Sequence, residues 1–163
     1  MRTKEDRNMS DLYLYHATGK KHLQSILSKG LLTNPPEHAY ENDIGIEALK
    51  DKIFLALNAE AAVDYAETSG AFNNDDIIVF KIKLNSLNTQ YFKYDWNNRC
   101  EYTNDINSCV YEQDIPATLL SICEPNKEPE QNIDNFYGTD LYEHILAVFD
   151  EEVMTNKERE DYY

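Results

Sequence analysis

Apolar residues along this chain fall in short blocks, and the spacing inside each block predicts its conformation. "DLYLY" packs aromatic and aliphatic residues without a helical gap, which predicts a strand over residues 11–15. In "GKKHLQSILSKG" the apolar Leu23, Ile26 and Leu27 recur at i, i+3 and i+4. Gly30 stands where helices end, so this stretch reads as a helix. Pro35 and Pro36 cannot continue it and place "TNPPEHAYENDIG" in a loop, after which "GIEALK" suits a short helical turn. "KIFLAL", residues 52–57, reads as a buried strand. "NAEAAVDYAETSG" then reads as a helix capped by Asn58 and stopped by Gly70.

"DDIIVFKIKL", ending at Leu84, is the clearest strand, and its second half alternates apolar residues with lysine, as a strand with one wet face does. "NSLNTQYFKYDWNN" reads as loop with short strand pieces. "NSCVYEQDIP" reads as a strand with Pro116 near its end, and "ATLLSICEP" as a last core strand. "DLYEHILAVFDEEV" is an amphipathic helix with Leu141, Ile145, Val148 and Phe149 on one side. The order is strand, helix, strand, helix, then several strands. The late connections are too short for helical crossovers, so the expected fold class is α+β, a mostly antiparallel sheet with flanking helices.

Composition narrows the picture. A chain of 163 residues with 42% apolar content favours one domain, expected over residues 11–163 behind a frayed 1–10 and ending in the acidic helix. No apolar run approaches a membrane span, and "MRTKEDRNMSD" has no hydrophobic leader, so a cytoplasmic location is expected. The three cysteines, Cys100, Cys109 and Cys123, have no CxxC spacing, and an odd count without a leader favours reduced thiols.

The net charge of −15 disfavours direct binding to a phosphate backbone, which lysine and arginine drive. It suits solubility, or attraction to a basic protein partner. The charge is uneven: cations gather near the start and over 81–99, while 124–163 is strongly acidic.

Common catalytic signatures are missing: there is no GxGxxG, P-loop, HExxH or GxSxG. His16, His22, His38 and His144 do not pair at metal spacing, so no metal site is expected. His16, beside Thr18 and Gly19, sits where a strand end meets a turn and its imidazole can bond at a cleft. Taken alone, His16 reads rather as a satisfied structural histidine, and Tyr65 on the following helix as a core aromatic.

Their spacing changes that balance. "LYHATGKKHLQSILSKGL" resembles the first motif of the ADP-ribosyltransferase superfamily, in its poly-ADP-ribose-polymerase-like and RNA 2′-phosphotransferase-like branches. There a strand ends in His followed by a small residue and Ser or Thr, and a helix closes on Gly-Leu. "KIFLALNAEAAVDYA" resembles the second motif, with Phe54 in the place of the aromatic strand residue and Tyr65 in that of the helix tyrosine. "DDIIVFKIKL" fits the next core strand, and "VYEQDIPATLLSI" the late strand that leads to the sheet edge. The resemblance covers about residues 11–123.

It implies a split, mostly antiparallel sheet with NAD, the substrate, bound where the sheet divides. His16 would hydrogen-bond a ribose hydroxyl, the Ala17 backbone would hold the nicotinamide amide, Thr18 would donate to the amide oxygen, and Tyr65 would stack on the ring. A carboxylate would stabilise the oxocarbenium-like transition state. At its usual place stands Asn107; Glu112 and Glu101 are the nearest acids, and Glu112 is expected within the strand, where a bulge brings it to the cleft or where it is a solvated strand-end charge. Loss of this acid argues against chain elongation more than against single transfer. The resemblance implies a mono-ADP-ribosyltransferase of toxin or phage-effector type acting on a host macromolecule, most readily a protein. NAD hydrolysis is a related variant. RNA 2′-phosphate removal is disfavoured by the acidic charge.

Two further readings stay open. "FKYDWNNRCEYTND", with Lys93, Tyr94, Trp96 and Arg99, is a target-recognition loop or core packing. The whole chain is also readable as a non-enzymatic acidic inhibitor that blocks a basic or nucleic-acid-binding defence protein.

Overall fold

The computed structural model describes residues 12–34, 51–70, 76–94, 108–131 and 133–144, with 147. Six strands form one sheet: β1 (Tyr13–Gly19), β2 (Ile53–Ala56), β3 (Ile77–Lys83), β4 (Phe92–Tyr94), β5 (Ser108–Tyr111) and β6 (Ser121–Cys123). Their order across the sheet is β4-β5-β2-β1-β3-β6, and every ladder is antiparallel. Helix α1 (Leu23–Lys29) follows β1 through a 3₁₀ turn at Lys20–His22, and helix α2 (Ala59–Gly70) follows β2. A further helix begins at residues 140–144. The fold class is α+β, as the order of elements predicts.

Strand alternation divides the core between the two sheet faces. On one face Leu14, Leu55, Phe80 and Ile82 are fully buried with Ile26 of α1, Phe92, Ile115, Phe136 and Leu141. On the other, Tyr15, Ala17, Ala56 and Val79 pack against Ala59, Ala62 and Ala66 of α2. These alanines are small enough to let the helix approach the strands closely. Each large side chain fully buried here contributes about 1.5–3 kcal/mol of transfer free energy.

The two halves of the sheet are joined narrowly. All seven residues of β1 pair with β3, from Tyr13 opposite Lys83 to Gly19 opposite Ile77. Toward β2, β1 has a single paired row, Tyr15 opposite Ala56. β2 in turn pairs along its length with β5, from Ile53–Tyr111 to Ala56–Ser108.

Three expectations are corrected. The first strand does not stop at Tyr15 but runs through His16 to Gly19, because the β3 ladder carries it past the turn residues. "ATLLSICEP" is not a core strand: Ala117–Leu119 is a 3₁₀ turn, and β6 is an exposed edge with Ile122 53% accessible. β5 ends at Tyr111, so Glu112 follows the strand rather than lying in it. The first ten residues, the rest of the proline loop from residue 35, the "GIEALK" turn, Trp96 and Arg99, and the side chains of Ile145, Val148 and Phe149 lie outside the described residues.

Gly30 fixes how α1 leaves the sheet. Its φ of +80° is a left-handed conformation suited to glycine, and its N–H closes the helix on the Ile26 carbonyl at 2.7 Å. Leu31 then exchanges backbone hydrogen bonds with Ile115, at 2.9 and 2.8 Å. Thr33 donates both its N–H and its hydroxyl to Asp114 Oδ1, at 2.7 and 2.9 Å.

Candidate functional site

His16 stands beside the single row that joins the two half-sheets. Its Nδ1 lies 2.8 Å from the carbonyl oxygen of Phe54 in β2. A carbonyl is only an acceptor, so Nδ1 carries the proton and donates, and the neutral ring presents Nε2 as a lone pair. Burial pushes the His16 pKa below its ordinary value. The bond to Phe54 opposes that shift, and the nearby His22 imidazole adds to it as a like charge. The ring is therefore neutral at pH 7.

The same bond orients the backbone. A Phe54 carbonyl within reach of a β1 side chain faces β1 rather than β5. Carbonyls of one strand alternate sides, so that of Ala56 faces β1 too, and its partner Tyr15 turns its own N–H and C=O toward β2. Two residues on, the N–H and C=O of Ala17 point the same way, and the β1–β2 ladder does not extend to Ala17. The position offers a paired backbone donor and acceptor beside the one-row ladder.

The remaining predicted residues are distributed around this point. Thr18 is buried at 8% accessibility, on the His16 side of β1 by alternation. Ala17 faces the opposite side, where Tyr65 of α2 packs half-buried against the same cluster. His16 and Tyr65 thus belong to opposite faces of β1. Phe54 is half-buried and contributes its carbonyl to the site.

The structure does not bring Glu112 to His16. Glu112 is exposed beyond the end of β5, with its N–H on the Tyr91 carbonyl at 3.0 Å. Continuing the Tyr15–Ala56 row places His16 level with Leu55 and Cys109, three residues short of Glu112 along β5. Asn107 and Glu101 lie outside the described residues.

Sequence reasoning missed the partners that hold the other side of β1. Gln131 is buried, accepts from Tyr13 N–H at 3.2 Å, and donates to the carbonyls of Tyr13 and Leu57, both at 2.8 Å. The Tyr15 hydroxyl donates to Glu128 Oε1 at 3.0 Å, and Lys81 Nζ sits 3.4 Å from the same oxygen. Burial, then the Glu128 carboxylate, raises the Tyr15 pKa. The same two causes push the Cys123 thiol up to about 11, which makes it a poor nucleophile at neutral pH. No local sequence signal announces these contacts, which join residues 47 to 118 positions apart.

Among the described residues no group of His, Cys, Asp and Glu could hold a metal, and no helix is long and apolar enough to cross a membrane. No protein-family model matches the chain, and no curated protein matches it.

Proposed function

We propose that the chain binds NAD in the division between β1 and β2 and transfers ADP-ribose to a macromolecular acceptor as a mono-ADP-ribosyltransferase. The observation that carries this reading is the His16–Phe54 bond at the one-row junction. It fixes a neutral imidazole whose Nε2 can accept from a ribose hydroxyl. It also turns the N–H and C=O of Ala17 toward the gap, where a carboxamide such as that of nicotinamide presents the complementary pair. Ala17 has a small side chain, so backbone contact is unobstructed. Tyr65, on the Ala17 side, supplies an aromatic face for the ring, and Thr18 a hydroxyl for the amide oxygen.

The chemistry follows from this placement. The bond between C1′ of the ribose and the nicotinamide nitrogen breaks, and nicotinamide leaves with the electron pair. An acceptor nucleophile then bonds C1′ and gives up its proton. Holding the carboxamide and a ribose hydroxyl favours the geometry in which that bond lengthens. The resemblance places Asn107 where a carboxylate would stabilise the developing positive charge. A neutral amide does so less well, which suits slow single transfer. The strongly acidic chain suits a protein acceptor rather than a nucleic acid.

Incubating the protein with labelled NAD and a cell lysate tests the reading. A labelled macromolecular band that His16→Ala abolishes supports it. Labelling that His16→Ala leaves unchanged, or no labelling at all, contradicts it.

A further inference from the structure

A concavity lies on the α2 face of the sheet, the face opposite the His16 side chain. It has a volume of about 690 Å³, within the range of ligand pockets, and it opens between α2, β3 and the 125–131 segment. Neither His16 nor Tyr65 lines it. Its floor is apolar, formed by Val63 of α2 and by Ile77 and Val79 of β3. Its charged groups have one sign. Glu60 and Asp64 stand on α2, Glu128 and Glu130 on the facing segment, and no lysine or arginine is among the lining residues.

Of these carboxylates only Glu128 is committed, to Lys81 and the Tyr15 hydroxyl. Among the described residues Glu60, Asp64 and Glu130 have no ion-pair partner. Glu60 and Asp64 are a like-charged i, i+4 pair, an arrangement that destabilises a helix until a cation joins it. The facing wall is held in place: Gln131 ties it to Tyr13 and Leu57, and Glu128 ties it to β1 and β3. A preformed wall saves a ligand the entropic cost of ordering it.

We infer that this groove docks a lysine- or arginine-bearing segment of a partner protein. A long basic side chain matches both parts of the groove, since its methylene stem covers apolar surface while its charged head reaches a polar rim. The stem would lie on Val63, Ile77 and Val79, and the head would sit between Glu60, Asp64 and Glu130. An acidic segment would meet like charge. A neutral apolar one would cover the floor and leave the carboxylates stranded. The inference stands apart from the NAD reading, because it concerns binding without nucleotide and a groove lined by neither His16 nor Tyr65.

The test is titration of a fluorescent Lys/Arg-rich peptide into the full chain without NAD. Glu60→Gln with Asp64→Gln should weaken binding about tenfold. Asp140→Asn with Glu143→Gln, an equal change of charge at exposed positions outside the groove lining, should leave it within about twofold. Equal weakening by the two pairs would mean general charge attraction and overturn the proposal. So would saturation by spermine with the same affinity and the same sensitivity to Glu60→Gln and Asp64→Gln, which would assign the groove to a small polyamine. Circular dichroism of each variant separates loss of binding from loss of fold. NAD-dependent thermal shift of the same variants reports separately on the site at His16.

Discussion

The imidazole of His16 in β1 donates to the main-chain carbonyl of Phe54 in β2, 2.8 Å away, beside the row where the two half-sheets meet. A side chain takes the part of a backbone donor there. His16→Ala removes it and leaves a carbonyl without its donor, so urea unfolding should show a loss of about 1–2 kcal/mol. A variant as stable as the parent would mean that the bond does not hold the junction.

The same ring sets a pH dependence with a defined sign. Its folded pKa is lowered, so the unfolded state binds the proton more tightly. This contribution to stability is complete above the unfolded value of about 6.5 and is lost as the pH falls from there through the lower folded value. His16→Gln should flatten that part of the profile. Parallel curves for parent and variant between pH 7 and 5 would contradict the assignment of a neutral, half-buried imidazole.

Gly30 should tolerate no side chain. A Cβ there would meet the Ile115 carbonyl oxygen at 2.2 Å and the Ala117 nitrogen at 2.9 Å, on a residue already at φ +80°. Backbone rather than a flexible side chain stands in the way, so Gly30→Ala should cost about 2 kcal/mol or more in chemical denaturation. A loss under about 0.5 kcal/mol would mean that the α1 exit and the 115–117 segment can part freely.

The rear fastening should separate into a strong and a weak component. Gln131→Ala leaves one N–H and two carbonyls of the backbone without this partner and should cost about 2–3 kcal/mol. Tyr15→Phe removes one hydroxyl and leaves the Lys81–Glu128 pair in place, so about 1 kcal/mol is expected. Thermal midpoints in the reverse order would show that Glu128, not Gln131, anchors the segment.

Much of the fold is legible wherever local pattern and long-range pairing agree. "KIFLAL" and "DDIIVFKIKL" contain β2 and β3. Asn58 caps α2 as its side chain predicts, accepting from Ala61 N–H at 2.7 Å. Gly30 ends α1 for the reason its position suggests. The pattern misleads where pairing overrides it. "ATG" after His16 reads as a turn, yet the ladder to β3 keeps it extended. "LLSIC" reads as core because it is apolar, yet its place at the sheet edge leaves Ile122 exposed.

The candidate site is legible as residue types and spacing, but not as an arrangement. That His16 and Tyr65 occupy opposite faces of β1, with Ala17 on the Tyr65 side, follows from strand register, which local sequence does not encode. The bond to the Phe54 carbonyl involves main chain and leaves no trace in residue identity. Gln131 and Glu128 act on β1 from far along the chain.

The central claim is that NAD occupies the division beside His16, and thermal unfolding with and without NAD tests it most directly. A ligand that binds only the folded chain raises the midpoint as its concentration passes its dissociation constant. The parent protein should therefore show a dose-dependent rise with NAD that His16→Ala and Tyr65→Ala each reduce sharply. No rise in the parent at millimolar NAD, or an equal rise in both variants, would contradict the account.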